Sequence, residues 1–282
     1  MNYGFEEDPG IMEKILDSDI VFFTDVSFSP QYAMKLNTLV TQYGTKIFLF
    51  DHHESAKKQL EPLNYDWIHY DVTKSGTLLI YEFCMDMCNK IGRPEVMKDW
   101  RYFAEVVDGY DLWLHTDYNS TRMQFLWANT EHEQFVQRFC NIPFNGIFSD
   151  DEEETIVTSE LILDHSVDEA EQGLKIDTDI EGYTFGVTNK PPFFSLVATQ
   201  LFKAHPEMDY LVMSDGRALS FRSPNDGICV RPIAEALGGG GHDHASGAPM
   251  KSPMTDPLLT VKYRRWTTYD FTKKFSGFTP LV

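Results

Sequence analysis

The sequence is poor in basic residues, and this shortage limits the partners that the protein can bind. It has 24 Lys and Arg residues against 43 Asp and Glu residues, which gives a formal net charge of −19 over 282 residues. A field of this sign repels polyanions and gives none of the counterion release that drives non-specific duplex binding. Duplex nucleic acid is therefore not an expected partner. A small phosphate bound through a divalent cation is still compatible with the charge, because a bound cation can reverse the local field.

Cysteine and long apolar runs are also scarce. The four cysteines form neither a CxxC pair nor the dense pattern of a secreted disulfide scaffold, so we expect reduced thiols in a cytoplasmic protein. The N-terminus has no basic region followed by an apolar one, and no run of about 18 apolar residues occurs. Neither a signal peptide nor membrane association is expected.

The sequence does contain a repeated strand and helix pattern. The runs 19–25 and 47–51 are apolar and each ends in a carboxylate, which is typical of buried strands in a parallel sheet. A helical pattern over residues 30–43 separates them, so the unit reads strand, helix, strand. Asp25 and Asp51 are then expected at the same edge of the sheet.

The remaining pattern predicts an α/β fold with two domains. A strand over 67–70, a helix over 75–88 and helices opening at Pro94 and Ser149 complete a parallel-sheet domain, which we place at residues 1–172. A smaller mixed α+β domain with a C-terminal tail is predicted for residues 173–282, with a cleft between the two domains. Its predicted elements are strand 183–188, helix 195–203, strand 210–213 and strand 217–222.

Two motifs in this frame carry chemistry. Asp51, His52 and His53 follow directly on an apolar strand, where α/β folds bind their ligands, and Asp and His are ligands that suit Mn²⁺. The glycine-rich segment 238–247 could bring backbone N–H groups close to an anion. The alternative interpretations are ordinary loop histidines for the first motif and a flexible linker for the second.

Taken in order, Asp25, the Asp51-His52-His53 tripeptide, Asp108 and the glycine-rich segment 238–247 resemble the motifs of the DHH phosphoesterase superfamily. The resemblance is to the oligoribonuclease and cyclic-nucleotide phosphodiesterase branch, which carries a DHH-associated C-terminal domain. It implies a hydrolase that cleaves phosphodiester bonds in short oligonucleotides, dinucleotides or cyclic nucleotides. It also implies manganese as the cofactor, with magnesium or cobalt as alternatives.

The resemblance assigns roles to single residues of this chain. It implies a metal site made by Asp25, His52 and Asp108, with Asp111 as the alternative to Asp108. It implies catalytic roles for His53, which would face the scissile phosphate, and for Asp51, which would orient its neighbours. A substrate-binding group at the non-scissile end of the ligand would contain Arg222, Gly239, Gly240, Gly241 and His242.

One expected motif is missing from the sequence. Members of the superfamily begin with a strand and a His-x-Asp-x-Asp-Gly motif, whereas this chain has no histidine before His52. Three explanations compete: a fragment of a longer enzyme, which we favour, a split protein completed by a second, N-terminal chain, or a degenerate member. The partner would be a second copy of the chain or the complementing chain. The alternative functions are a small-molecule nucleotide phosphatase and a catalytically impaired nucleotide-binding or assembly subunit.

Overall fold

The computed structural model describes residues 6, 8–179 and 181–249, with the side chain of Ser55 left out. The predicted C-terminal tail lies outside these residues. The chain divides into two compact units between Ser159 and Glu160, inside the long helix α8 (Asp150–Gly173). The predicted domain boundary at 172/173 falls at the end of the same helix, and it stays a prediction.

The N-terminal unit contains the predicted parallel sheet. Its strands, β1 (Ile20–Thr24), β2 (Lys46–Asp51) and β3 (Ile68–Tyr70), lie side by side in the order β1-β2-β3 and are all parallel. Thr24 pairs with Phe50, so the carboxyl ends of β1 and β2 are level. The prediction that Asp25 and Asp51 share one edge of the sheet is confirmed.

Within the described residues, eight α-helices belong wholly or partly to this unit. Their bounds are α1 (Pro9–Leu16), α2 (Pro30–Thr38), α3 (Glu54–Leu60), α4 (Gly76–Lys90), α5 (Arg101–Asp111), α6 (Tyr118–Asn129), α7 (His132–Asn141) and α8. Several begin at polar caps: the Ser75 hydroxyl accepts from Leu78 N–H at 3.2 Å, and Ser149 and Glu152 cap α8 reciprocally. The stretch predicted as helical from Pro94 begins with two 3₁₀ turns, Pro94–Val96 and Lys98–Trp100, before α5 starts.

The sheet is covered on both faces. Ile47 and Leu49 of β2 point into a core with Phe28 and Leu36, while Phe48 and Phe50 pack against Phe83 of α4. Residues alternate between the two faces because successive side chains in a strand point in opposite directions. Burial on both faces explains why β2 reads as a continuous apolar run.

The C-terminal unit contains a mixed six-stranded sheet in the order β4-β5-β6-β7-β9-β8. Its elements are β4 (Lys175–Thr178), β5 (Thr184–Asn189), α9 (Phe194–Ala204), β6 (Tyr210–Ser214), β7 (Ala218–Arg222), α10 (Arg231–Ala236), β8 (Gly240–Gly241) and β9 (Ala245–Pro249). Strands β5 and β6 are parallel and the other pairs antiparallel. The predicted mixed α+β series is therefore confirmed, with β4, β8 and β9 added by the structure.

Strand β6 is buried along its whole length because helices cover both sides of this sheet. Tyr210 and Val212 contribute to one core with residues of α10, and Leu211 and Met213 to another with residues of α9. The four cysteines of the chain carry free thiols, as predicted. Among the described residues, no helix combines the length and the apolar character needed to span a membrane.

Candidate metal centre

The level carboxyl ends of β1 and β2 bring three metal-capable side chains together. Asp25 follows β1, and its N–H donates to the carbonyl of Phe50 at 2.9 Å, which fixes it beside the end of β2. There, His52 and His53 follow directly on Asp51. Asp25 has a left-handed backbone with φ of 55°, an unfavourable conformation for a non-glycine residue that is often retained at functional sites.

The side chains of Asp25, His52 and His53 form a compact cluster. Asp25 Oδ1 lies 3.1 Å from His52 Nε2 and 3.7 Å from His53 Nδ1, and one ligand atom from each residue lies within 4.8 Å of the others. The Asp25 side chain is 51% exposed, so the cluster can be reached from solvent. One carboxylate and two imidazoles fit a divalent transition metal such as Mn²⁺. The predicted ligands Asp25 and His52 are thus brought together, and their metal role stays a prediction.

Asp51 lies behind this cluster and is completely buried. Its Oδ1 accepts from His53 Nδ1 at 2.7 Å and from the His52 N–H at 2.8 Å, while its Oδ2 accepts from the Ser27 hydroxyl at 3.3 Å. A buried carboxylate with these partners orients the two histidines. The catalytic, orienting role predicted for Asp51 stays a prediction.

Asp108 and Asp111 take different positions at the end of α5. Asp111 Oδ2 lies 3.3 Å from His52 Nε2, at the cluster. Asp108 is buried, and its Oδ1 accepts from the Ser75 N–H at 2.6 Å, at the start of α4, where a helix favours negative charge. The geometry therefore adds Asp111 to the cluster, while ligation by Asp108 stays a prediction.

The start of α4 supports the centre in a way that sequence reasoning did not predict. A Cβ atom on Gly76 would lie 2.9 Å from the backbone nitrogen of Asp25, which is closer than real Cβ contacts. Glycine is therefore required for α4 to approach Asp25 closely. The Ser75-Gly76 pair, together with the carboxylate of Asp108, positions this helix against the end of β1.

The carboxylates around the cluster control the charge of its histidines. Burial works against protonation of His52, but the hydrogen bond with Asp25 and the charge of Asp111 outweigh it and raise the pKa of His52. The hydrogen bond to Asp51 raises the pKa of His53, and burial raises the pKa of the Asp111 carboxyl. The carboxylates of Asp25, Asp51 and Asp111 give the cluster a negative charge that also favours a divalent cation.

In the C-terminal unit, Arg222 is the last residue of β7, and its side chain contacts the start of α9. Its Nη2 donates to the Ser195 hydroxyl at 3.1 Å, and its guanidinium carbon lies 4.8 Å from the centre of the Phe194 ring. Lys190 Nζ lies 4.2 Å from the centre of the same ring. Phe194 thus holds two cations close together, and sequence reasoning identified only Arg222.

The glycine-rich segment has a packing role in addition to its predicted one. Gly240 and Gly241 pair with β9, and a Cβ atom on Gly241 would lie 2.6 Å from the Ala245 carbonyl oxygen. The Gly239 N–H donates to Ala234 at 2.7 Å and the His242 N–H to Ala245 at 2.9 Å. Those two backbone donors are engaged within the unit. The substrate-binding role of Gly239, Gly240, Gly241 and His242 stays a prediction.

Comparison with known proteins agrees with this fold. The chain is 27% identical over 274 residues to oligoribonuclease NrnB of Bacillus subtilis (strain 168), a match that covers 90% of this chain and 65% of the relative. The chain thus spans just under two thirds of the length of that curated relative. No family model matches the sequence.

Two solved structures share the fold. The DHH domain of a member of a ribosomal protein family has a TM-score of 0.55 at 14% identity, covering 81% of this chain and 65% of that one. RecJ in complex with Mn²⁺ from Thermus thermophilus has a TM-score of 0.54 at 13% identity, covering 86% of this chain and 44% of that one. The chain therefore shares the fold of these two structures.

Proposed function

We propose that this protein is a metal-dependent phosphodiesterase that hydrolyses short oligonucleotides, dinucleotides or cyclic nucleotides, with manganese as its metal. The convergence of Asp25, His52 and His53 at the carboxyl edge of the parallel sheet carries this proposal. The similarity to a protein named oligoribonuclease supports the choice of substrate, and the Mn²⁺ in the related RecJ structure supports the choice of metal.

Each residue of the centre then has a definable task. Asp25 and His52 hold the ion, together with a carboxylate from α5. A divalent ion bound there lowers the pKa of water and stabilises negative charge on a phosphoryl group. Asp51 accepts a hydrogen bond from Nδ1 of His53, which leaves Nε2 as the atom that can interact with the phosphate or exchange a proton.

The C-terminal unit would bind a phosphate of the substrate that is not cleaved. Arg222 and Lys190 supply two positive charges beside the Ser195 hydroxyl, and a guanidinium can bind a phosphate through two parallel hydrogen bonds. Local cations of this kind suit a short ligand, since the net charge of −19 disfavours a long polyanion.

The test is hydrolysis of defined substrates by the purified chain with Mn²⁺. The panel contains a dinucleotide, a five-residue oligonucleotide, a cyclic dinucleotide and the monoester p-nitrophenyl phosphate, with products separated by chromatography. We expect cleavage of the diesters, and we expect at least a ~100-fold loss of kcat in His52→Ala, because that change removes a metal ligand. The matched control is His132→Ala, an exposed histidine on α7.

Two other outcomes would change the conclusion. Turnover of the monoester alone would favour a small-molecule phosphatase. Nucleotide and Mn²⁺ binding without any turnover would indicate a binding or assembly subunit.

A further inference from the structure

Tyr110, Trp113 and His115 form an aromatic cluster around the end of α5, close in sequence to Asp111. The proposed function assigns no role to these three residues. Asp111, the last residue of α5, lies 3.3 Å from His52 through its carboxylate. Trp113 follows two residues later and is partly exposed. The rings of Tyr110 and His115 pack on that of Trp113, so three aromatic residues in mutual contact lie within four residues of Asp111 in the sequence.

The backbone of this segment is held in an unfavourable conformation. Trp113 and His115 both have left-handed backbones, with φ of 58° and 47°. Side chains other than glycine rarely adopt this conformation, and it persists only where the surroundings enforce it. Here Trp113 N–H donates to the Tyr110 carbonyl at 2.9 Å, and the His115 N–H donates to the Gly109 carbonyl at 3.0 Å. The turn is therefore fixed to the last turn of α5.

The ring of Trp113 is also fixed. Its centre lies 4.3 Å from that of His115 and 5.3 Å from that of Tyr110, with interplanar angles of 82° and 66°, so both neighbours pack edge to face. His115 is itself placed by Thr121, whose hydroxyl lies 3.2 Å from its Nδ1. The cluster thus presents a large aromatic side chain of fixed orientation, held on the same turn as a carboxylate of the centre.

We propose that Trp113 stacks on a nucleobase of the substrate, on the nucleotide adjoining the cleaved phosphodiester. This inference rests on the proposed function and names the part of the substrate recognised beside the metal centre. Stacking on an aromatic ring accepts any base, because every base has a π-face. The contact therefore distinguishes nucleotides from other phosphodiesters without selecting a sequence.

The experiment compares two substrates that differ only in the base. One is a dinucleotide and the other is its analogue in which hydrogen replaces the base next to the cleaved bond. Both are assayed with the wild-type chain, Trp113→Ala, Trp113→Phe and the control Trp127→Ala, which removes a 40% exposed tryptophan from α6. We expect Trp113→Ala to raise KM for the dinucleotide by about 10- to 100-fold and to leave KM for the abasic analogue unchanged. Trp113→Phe should have a smaller effect, and Trp127→Ala none.

The result that overturns the inference is an equal loss with both substrates, which would mean that Trp113 only supports the turn and Asp111. Calorimetry with a non-hydrolysable phosphorothioate dinucleotide separates this inference from the proposed function. If the wild-type chain hydrolyses neither diester, the proposed function fails, but the calorimetric comparison still tests the stacking. An unchanged Kd in Trp113→Ala and Trp113→Phe would then overturn it, and a weakened Kd in both would support it.

Discussion

At the scale of single residues, the two carboxylates that contact His52 and His53 differ in burial. Asp51 is buried and bonded to both His52 and His53, whereas Asp25 is half-exposed and faces outward. A buried carboxylate that already accepts several hydrogen bonds is suited to orienting its neighbours, and an exposed one is suited to ligation. We therefore interpret the tripeptide as one orienting residue followed by two residues that would face a bound metal.

Asp108 and Asp111 can be separated by substitution. We expect Asp111→Asn to weaken Mn²⁺ binding by at least about tenfold, since its carboxylate lies at His52, and Asp108→Asn to act mainly on stability. Loss of a negative charge at the start of α4 should lower the free energy of unfolding by about 0.3–1 kcal/mol. Isothermal titration with Mn²⁺ and thermal denaturation of both variants measure the two effects. The reverse pattern, with metal binding lost in Asp108→Asn alone, would establish Asp108 as the ligand.

At the scale of elements, the sequence predicts the strands that have a clear apolar pattern of their own. The apolar runs of β1 and β2 indicated buried parallel strands, and that alone was enough to bring Asp25 to His52. The short strands β4, β8 and β9 have no such pattern, because they contain polar residues or glycines and are defined by pairing with distant segments. The choice between Asp108 and Asp111 depends on how α5 is rotated about its axis, which packing against α4 and α6 decides.

The face of the parallel sheet that packs against α4 contains a histidine whose replacement should stabilise the protein. His69 of β3 stacks on Phe50, with ring centres 5.0 Å apart at 12°, and within the described part of the chain its buried Nε2 has no hydrogen-bond partner. We expect His69→Phe to raise the free energy of unfolding by about 1 kcal/mol near neutral pH, because it removes an unsatisfied polar atom. Chemical denaturation measures this, with the exposed His132→Phe as control.

The same substitution should change the pH dependence of stability. Burial lowers the pKa of folded His69, so as pH falls below the unfolded value of about 6.5 the unfolded chain binds a proton that the folded chain does not. His69 therefore lowers the free energy of unfolding of the wild-type protein as the pH falls through that range. The gain from His69→Phe should be larger near pH ~5.5 than near pH ~8. A gain that does not depend on pH would mean that His69 titrates normally in the folded protein.

At the scale of the whole molecule, the net negative charge of the chain opposes the binding of an anionic substrate. The chain carries −19, yet the proposed substrate is an anion. The Lys190–Arg222 pair on Phe194 is a local exception to this field, and a divalent cation bound in the acidic cluster would be a second one. Each added phosphate beyond those that these cations contact increases the repulsion, so the charge of the molecule should itself favour short substrates.

Substitution of Arg222 tests whether local cations recognise a second phosphate of the substrate. Arg222→Ala should lower kcat/KM for 5′-phosphorylated di- and trinucleotides, which carry a phosphate besides the one that is cleaved, by about 10- to 100-fold, the effect of losing roughly 1.5–3 kcal/mol of charge-assisted hydrogen bonding. Bis-p-nitrophenyl phosphate, which has no second phosphate, should be nearly unaffected, because a contact to a group that does not react matters only when that group is present. Arg217→Ala, an exposed arginine beside the same strand, is the matched control for the loss of one positive charge. Equal losses with both kinds of substrate would show that Arg222 serves folding or the metal centre, and would rule out recognition of a second phosphate by this residue.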